Sequence, residues 1–134
     1  MTRRLLFSVT LFTTLSSQAQ TDRFAYAITD INKEGYSWNA LRKLDLQTGE
    51  YSTVLLNGTE AKTVVYNAAT KKELVQQVDA RFGTMLQAPF STGVAAAAYD
   101  RKHNRLYFTP MFIDQLRYVD LKTMKVYYVT DEAF

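Results

Sequence analysis

Two segments of the chain carry residues that could hold a ligand or move a proton. The first reads DINKEGYSWN from Asp30 and contains the only tryptophan, and the second reads TPMFIDQ from Thr109. Aromatic rings on such segments can stack on a sugar or pack against a protein, and paired carboxylates can act in acid–base chemistry such as glycoside hydrolysis. The candidate ligand-binding residues are Asp30, Glu34, Tyr36, Trp38, Met111, Phe112 and Asp114. The alternative is that the aromatic residues cover sheet edges and bind nothing.

Other kinds of chemistry have no support in the sequence. The chain has no cysteine, which excludes thiolate ligands, thiol nucleophiles and disulfides. Its one histidine, His103, stands in the polar segment DRKHN, which favours a solvated surface residue over a zinc ligand. The sequence contains no GxSxG motif, P-loop or dinucleotide fingerprint. We therefore predict no metal and no cofactor.

Residues 1–19 are predicted to be a secretory signal peptide. Arg3 and Arg4 precede an apolar run from Leu5 to Leu15, and Ser17 and Ala19 fit a small-x-small cleavage site. The run is too short to span a membrane, and a buried N-terminal helix is the alternative. We expect an exported protein, periplasmic or extracellular, with no stable membrane insertion once the signal is removed.

Removal of the signal peptide nearly neutralises the chain. The full sequence has 16 basic and 13 acidic residues, and the loss of Arg3 and Arg4 leaves 14 basic residues, a net charge of +1. This balance provides no basic patch, so we predict no nucleic-acid partner. The hydrophobic content of 47% indicates a folded domain.

The elements that must position the candidate residues recur along the chain. LRKLDLQTGEYSTV from Leu41 and LRYVDLKTMKVYYV from Leu116 share six residues at the same offsets, 75 positions apart. Upstream, DRFAYAIT from Asp22 aligns with NRLYFTP from Asn104, 82 positions apart, so the connection that follows is predicted to be seven residues longer in the first copy. Self-similarity of this kind indicates a repeat architecture.

Each copy contains three runs typical of β-strands. They are predicted at 23–29, 39–46 and 51–56 in the first copy and at 105–109, 115–121 and 125–130 in the second. The second copy has one more strand in front, TGVAAAAYD, for which a short helix over Val94–Tyr99 is the alternative. Gly49 suits a tight turn and Met124 does not, which leaves open whether the two turns are of one type.

A repeated antiparallel unit with a small-residue first strand resembles a blade of a β-propeller. The segments YDRKHNRLYF and LRYVDLKTMKVYYV are similar to YVTN-type and NHL-type propeller repeats. The resemblance implies an all-β fold, a partial β-propeller of about two blades. Residues 20–58 would form a first blade that lacks its first strand, 59–91 an insertion, and 92–134 a second blade whose Ala95–Ala98 line the crowded axis.

The insertion is predicted to be a hairpin. KTVVYN and ELVQQV read as its two arms and AATKK as its turn, and a helix over Ala69–Val78 is the alternative. Because propellers have about four to eight blades, we expect these residues to be the N-terminal part of a longer protein. A small β-sandwich, or a pair of blades that closes by self-association, is the alternative.

The predicted function is non-catalytic binding or protein interaction. The ligand would be a small molecule, a glycan or a protein on the face that carries the long loops. The alternative is a hydrolase or lyase acting on sugars or lactones, with most of its catalytic residues in other blades. Arg42 and Asp45 recur as Arg117 and Asp120, and we predict structural roles for all four because a catalytic residue normally occurs once.

Overall fold

The chain is all-β in every part that the computed structural model describes, which comprises residues 22–32, 35–60, 63–74 and 88–129. The predicted signal peptide lies outside these ranges, as does Glu34. The strands are β1 (Phe24–Thr29), β2 (Ala40–Asp45), β3 (Leu56–Asn57), β4 (Val65–Asn67), β5 (Val94–Asp100), β6 (Arg105–Pro110), β7 (Arg117–Asp120) and β8 (Lys125–Tyr128).

The strands form two sheets. The first sheet has the order β1-β2-β3 and is antiparallel throughout. The second has the order β4-β8-β7-β6-β5, in which β5 to β8 are antiparallel neighbours in chain order and β4 runs parallel to β8. The second copy of the repeat is therefore a four-stranded meander, and part of the predicted insertion extends it at one edge.

The predicted strand in front of the second copy is confirmed, and the alternative helix is wrong. Residues 94–100 pair with β6, with one register shift between Val94 and Ala96, and Ala97 lies opposite Phe108. Gly93 precedes the segment, and β6 pairs with one side of its backbone, so tertiary pairing overrides the helix propensity of alanine. Ala95–Ala98 are exposed because β5 is an edge strand among the described residues.

The third strand of the first copy differs from the prediction. Tyr51 forms only an isolated bridge to Leu44, and the regular strand is β3 at 56–57. The hydroxyl of Ser52 accepts the backbone N–H of Lys43 at 3.0 Å, and the Arg42 guanidinium donates to the Ser52 carbonyl at 3.1 Å. These side-chain bonds compete with the regular ladder and interrupt the strand.

The register of β1 corrects the sequence alignment by one residue. Phe24 pairs with Asp45, and Arg105 pairs with Asp120. Since the two aspartates are counterparts, so are residues 24 and 105, which are 81 rather than 82 positions apart, and the first connection is six residues longer, not seven. A shift of one residue exchanges the two faces of a strand. Tyr26, and not Ala25, is therefore the counterpart of Tyr107.

The two repeat turns share one conformation despite their different sequences. Gly49 has φ 74° and Met124 has φ 56°, and their N–H groups donate to the Asp45 and Asp120 carbonyls at 2.8 and 2.7 Å. In each turn the aspartate Oδ1 accepts two further backbone N–H groups, from residues two and three positions on. The turns are therefore of one type, held by the aspartate side chain.

A third copy of this turn lies in the predicted insertion, where the sequence analysis found no repeat. Asn67 Oδ1 accepts from Ala69 and Thr70, and Lys71 has φ 61°. This turn follows β4 and returns the chain to Glu73, which bridges Tyr66. Within the predicted first arm, residues 65–67 form a strand, which pairs in parallel with β8 and bridges Glu73 through Tyr66. No helix forms over 69–74. The remainder of the second arm, 75–78, lies outside the described residues.

The core lies between the two sheets. The inner face of the first sheet presents Tyr26, Ile28, Leu41 and Leu56, and the inner face of the second presents Val65, Leu106, Phe108, Val119 and Val126. Leu41, Val119 and Phe108 are at most 1% exposed. Phe90, from the segment before β5, joins them and meets the Phe108 ring edge-on at 4.9 Å. Burial of these apolar side chains is the main source of stability that the described residues offer.

We expect the Asp120→Ala variant to lose about 1 kcal/mol of unfolding free energy, because two turn N–H groups lose their acceptor. Asp120→Asn keeps an acceptor oxygen, as Asn67 does in the third turn, and should lose less than half as much. Urea unfolding followed by circular dichroism measures both values. Equal losses in the two variants would contradict the role assigned to the side-chain oxygen.

Candidate functional site

Two connections and one segment meet at one end of the sheets. They are the β1–β2 connection (30–39), the β6–β7 connection (111–116) and the segment before β5 (88–93), and we call their common location the loop end. The Val94 N–H donates to the Trp38 carbonyl at 3.0 Å, and the Met111 N–H donates to the Gly93 carbonyl at 2.8 Å. The start of β5 thus links both connections through its backbone.

Gly93 allows the start of β5 to lie close to the β1–β2 connection. Its φ is 109°, and a Cβ atom at this position would lie 2.5 Å from the Ser37 carbonyl oxygen. No other residue type combines this backbone conformation with so close a contact. The glycine therefore sets the distance between the β1–β2 connection and the rest of the loop end.

Three aromatic side chains project from the loop end. Tyr36 is 83% exposed, Phe112 86% and Trp38 44%. Trp38 and Phe112 also have left-handed backbone conformations, with φ 41° and 60°. Such conformations cost about 1–3 kcal/mol in residues other than glycine and persist only where the surroundings impose them. These rings are solvent-facing groups on a backbone that its hydrogen bonds hold in place.

Asp30 has a different role from the one its sequence position indicated. It is buried, and its carboxylate accepts the backbone N–H groups of Asn32 at 2.9 Å and Ser37 at 3.1 Å. The bond from Asn32, with a smaller contribution from Ser37, lowers the pKa of Asp30 below its ordinary value of 3.8. Asp30 therefore shapes the β1–β2 connection, and its carboxylate is engaged by that connection's own backbone.

The remaining candidates are divided between the interior and the surface. Met111 is partly buried and its carbonyl accepts the Thr92 hydroxyl, whereas Asp114 is exposed. Glu34 lies outside the described residues. The loop end thus presents Tyr36, Trp38, Phe112 and Asp114 to solvent.

Two buried arginines donate hydrogen bonds to the segments of the loop end. The sequence did not predict their partners. Arg117 is 2% exposed and donates to the carbonyls of Ala88 and Pro89 at 3.2 and 2.8 Å, while its guanidinium carbon lies 3.9 Å from the Tyr128 ring centroid. Burial lowers the pKa of Arg117 to about 10, so it remains charged at neutral pH. The recurrence of the arginine was the available signal, but its carbonyl partners lie far away in sequence.

Arg42, the counterpart of Arg117, makes the same kind of contact in the first sheet. It is 4% exposed and donates to the Ile31 carbonyl at 2.8 Å and to the Thr29 hydroxyl at 3.1 Å. Each arginine therefore fastens one segment of the loop end to a strand through carbonyl contacts. These contacts agree with the predicted structural role.

The opposite end carries His103. Its Nδ1 lies 2.6 Å from the Asp100 carboxylate, and this contact lowers the pKa of Asp100. Both residues belong to the β5–β6 turn, and His103 is exposed, as predicted. No group of three metal-ligating residues occurs within the described ranges.

A groove of about 320 Å³ lies at this opposite end, between β1 and the edge of the second sheet. Its apolar walls come from Phe24, Tyr26, Tyr99 and Leu106. The Tyr26 and Tyr99 rings meet across it at 5.4 Å.

Comparison with known proteins gives no match. No protein family, curated protein or solved structure matches the chain. Within the described part there is also no helix long and apolar enough to cross a membrane.

We expect Gly93→Ala to lower the unfolding free energy by at least about 2 kcal/mol, because the new methyl group meets the Ser37 carbonyl in a strained backbone conformation. The matched control is Gly49→Ala. Gly49 also has positive φ but open space around it, so this variant should lose only about 1 kcal/mol. Urea unfolding measures both, and Trp38 emission should change in the Gly93 variant alone. Equal losses with unchanged emission would contradict the proposed contact.

Acid should loosen the β1–β2 connection before the sheets unfold. The folded-state pKa of Asp30 is depressed, so its stabilising bonds are present above pH 3.8 and are lost as pH falls through the lower folded value. We expect a Trp38 emission change below about pH 4 that precedes loss of the circular dichroism signal. In Asp30→Asn, which does not titrate, this early change should vanish. An unchanged transition in that variant would assign the effect to another carboxylate.

Proposed function

We propose that the chain is an exported, non-catalytic binding module that takes an oligosaccharide at the loop end, on a scaffold of two consecutive β-propeller blades. The observation that carries the proposal is the group of three exposed aromatic side chains, Tyr36, Trp38 and Phe112, on segments joined by backbone hydrogen bonds. A rigid backbone lowers the entropic cost of ligand binding.

The propeller arrangement is supported by the relation between the two sheets. The sheets have counterpart strands, the same turn and counterpart buried arginines, and they pack face to face. Stacking of repeated antiparallel sheets in this manner is typical of propeller blades, which present their connecting loops at two opposite ends. Export is supported by the order of charged, apolar and small residues at the N-terminus.

An oligosaccharide is favoured by what surrounds the rings. The same segments also carry exposed polar residues, including Asn32, Ser37 and Asp114. Exposed rings and exposed polar groups on the same segments suit a ligand that has both apolar faces and hydroxyl groups. A protein hot spot would more often lie within a larger apolar patch that excludes water.

Binding without catalysis is favoured by the lowered pKa of Asp30 and by the hydrogen bonds that its carboxylate accepts. A general acid on a glycosidic oxygen needs a raised pKa, and backbone hydrogen bonds lower the pKa of Asp30. Its carboxylate is also occupied and buried. The described residues therefore favour contact with a sugar over cleavage of its bonds.

Titration with cello-, chito-, manno- and uronic oligosaccharides tests the proposal, with Trp38 emission and calorimetry as readouts. We expect one series to shift the emission, and Tyr36→Ala and Phe112→Ala each to weaken its binding about tenfold, the value of one lost ring contact. Phe24→Ala is the control, because Phe24 is 50% exposed but lies at the other end of β1. Binding that is indifferent to Tyr36 and Phe112, or release of new reducing ends, would contradict the proposal.

A further inference from the structure

A row of four tyrosines crosses the outer face of the second sheet, which is the face turned away from the first sheet. Tyr107, Tyr118, Tyr127 and Tyr66 lie on β6, β7, β8 and β4 and are direct cross-strand partners. Their ring centroids are 5.2, 4.9 and 5.5 Å apart, and the central pair is stacked with an interplanar angle of 14°. We call this surface the tyrosine face.

Three cations cover the rings of the tyrosine face. Lys71 Nζ donates to the Tyr118 hydroxyl at 3.0 Å and lies 4.9 Å from the Tyr127 ring centroid. Arg105 lies 4.7 Å from the Tyr118 ring centroid and Lys125 lies 4.8 Å from that of Tyr66. The ring faces are thus occupied by one another and by cations, so this surface does not offer free rings for stacking on a sugar.

The repeat shows what kind of surface this is. By the strand register, Tyr107 and Leu116 are the counterparts of Tyr26 and Leu41, which belong to the inner face of the first sheet. Leu41 is fully buried against the second sheet, whereas Leu116 is 42% exposed. Val129 and Val64, beside the row, are 39% and 43% exposed. The tyrosine face therefore has the layout of a packing face, and no described residue outside the second sheet's own strands and turns covers it.

The outer face of the first sheet provides the matching surface. Ala25, Ala27, Leu44 and Tyr51 lie on it, and their counterparts in the second sheet are Leu106, Phe108, Val119 and Val126, the inner face that packs against the first sheet. The two alanines leave room opposite the lysine and arginine side chains that cover the tyrosine rings. The two sheets of one chain pack through two kinds of face, and each chain also has one outer face of each kind.

We propose that a second copy of this chain covers the tyrosine face with the outer face of its first sheet. Such a contact is head-to-tail, because each copy uses two different surfaces, and it generates a ring if the rotation closes or a filament if it does not. It repeats the packing geometry of the sheets within one chain.

Sedimentation velocity over a range of protein concentrations tests this proposal with two single variants. Leu116→Glu places a charge on the tyrosine face and Tyr51→Glu places one on the outer face of the first sheet, and the two side chains are exposed to a similar extent, 42% and 44%. We expect the unaltered chain to assemble, each variant to be a folded monomer by circular dichroism, and their mixture to form a 1:1 pair and nothing larger. Leu46→Glu, at an exposed position in the turn after β2, is the control and should assemble normally.

Three results would overturn the proposal. The unaltered chain could be monomeric at every concentration, both variants could assemble, or Leu116→Glu alone could prevent assembly. The last result would mean that two tyrosine faces pair with each other. These outcomes are independent of the loop-end site, because the monomeric variants retain Trp38 and can be titrated with oligosaccharides separately.

Discussion

The face-to-face packing of the two sheets is the interaction on which the rest of the structure depends. Leu41 from the first sheet and Val119 from the second are fully buried in it, and Phe90 closes it from the loop end. Because the packed strands are counterparts in a repeat, this contact brings the long connections together at one end. It also leaves one outer face on each sheet, and these two faces are complementary in kind.

The loop end is held by polar groups that the core cannot supply. Arg42 and Arg117 carry charges into the interior, where carbonyl oxygens replace the water they lose. The buried Asp30 carboxylate accepts backbone N–H groups of its own connection in the same way. This fixed backbone allows Trp38 and Phe112 to adopt conformations that they would avoid in a free loop. The binding surface proposed here is therefore a product of buried polar contacts.

The sequence predicted most strands and the common end of the two connections, because alternating apolar residues and turn residues are local signals. It did not predict the register of β1, where DRFAYAIT aligns with NRLYFTP almost equally well one residue apart and only the pairing of Phe24 with Asp45 decides. It predicted a turn after Asn67 but not that this turn matches the two repeat turns, since asparagine replaces aspartate and lysine replaces glycine there. The burial of Asp30 depends on bonds within a folded loop, which composition does not reveal.

The claim that the sheet packing gathers the candidate residues at one end has a direct test. The chain has no cysteine, so a nitroxide attached to Tyr36→Cys, an 83% exposed position, would be the only label. Paramagnetic broadening of backbone amide signals should then be strong at 88–93 and 111–116 and weak at the turns 101–104 and 121–124, which lie about 20 Å away along six-residue strands. Strong broadening at those turns, or none at 111–116, would contradict the arrangement of the two sheets.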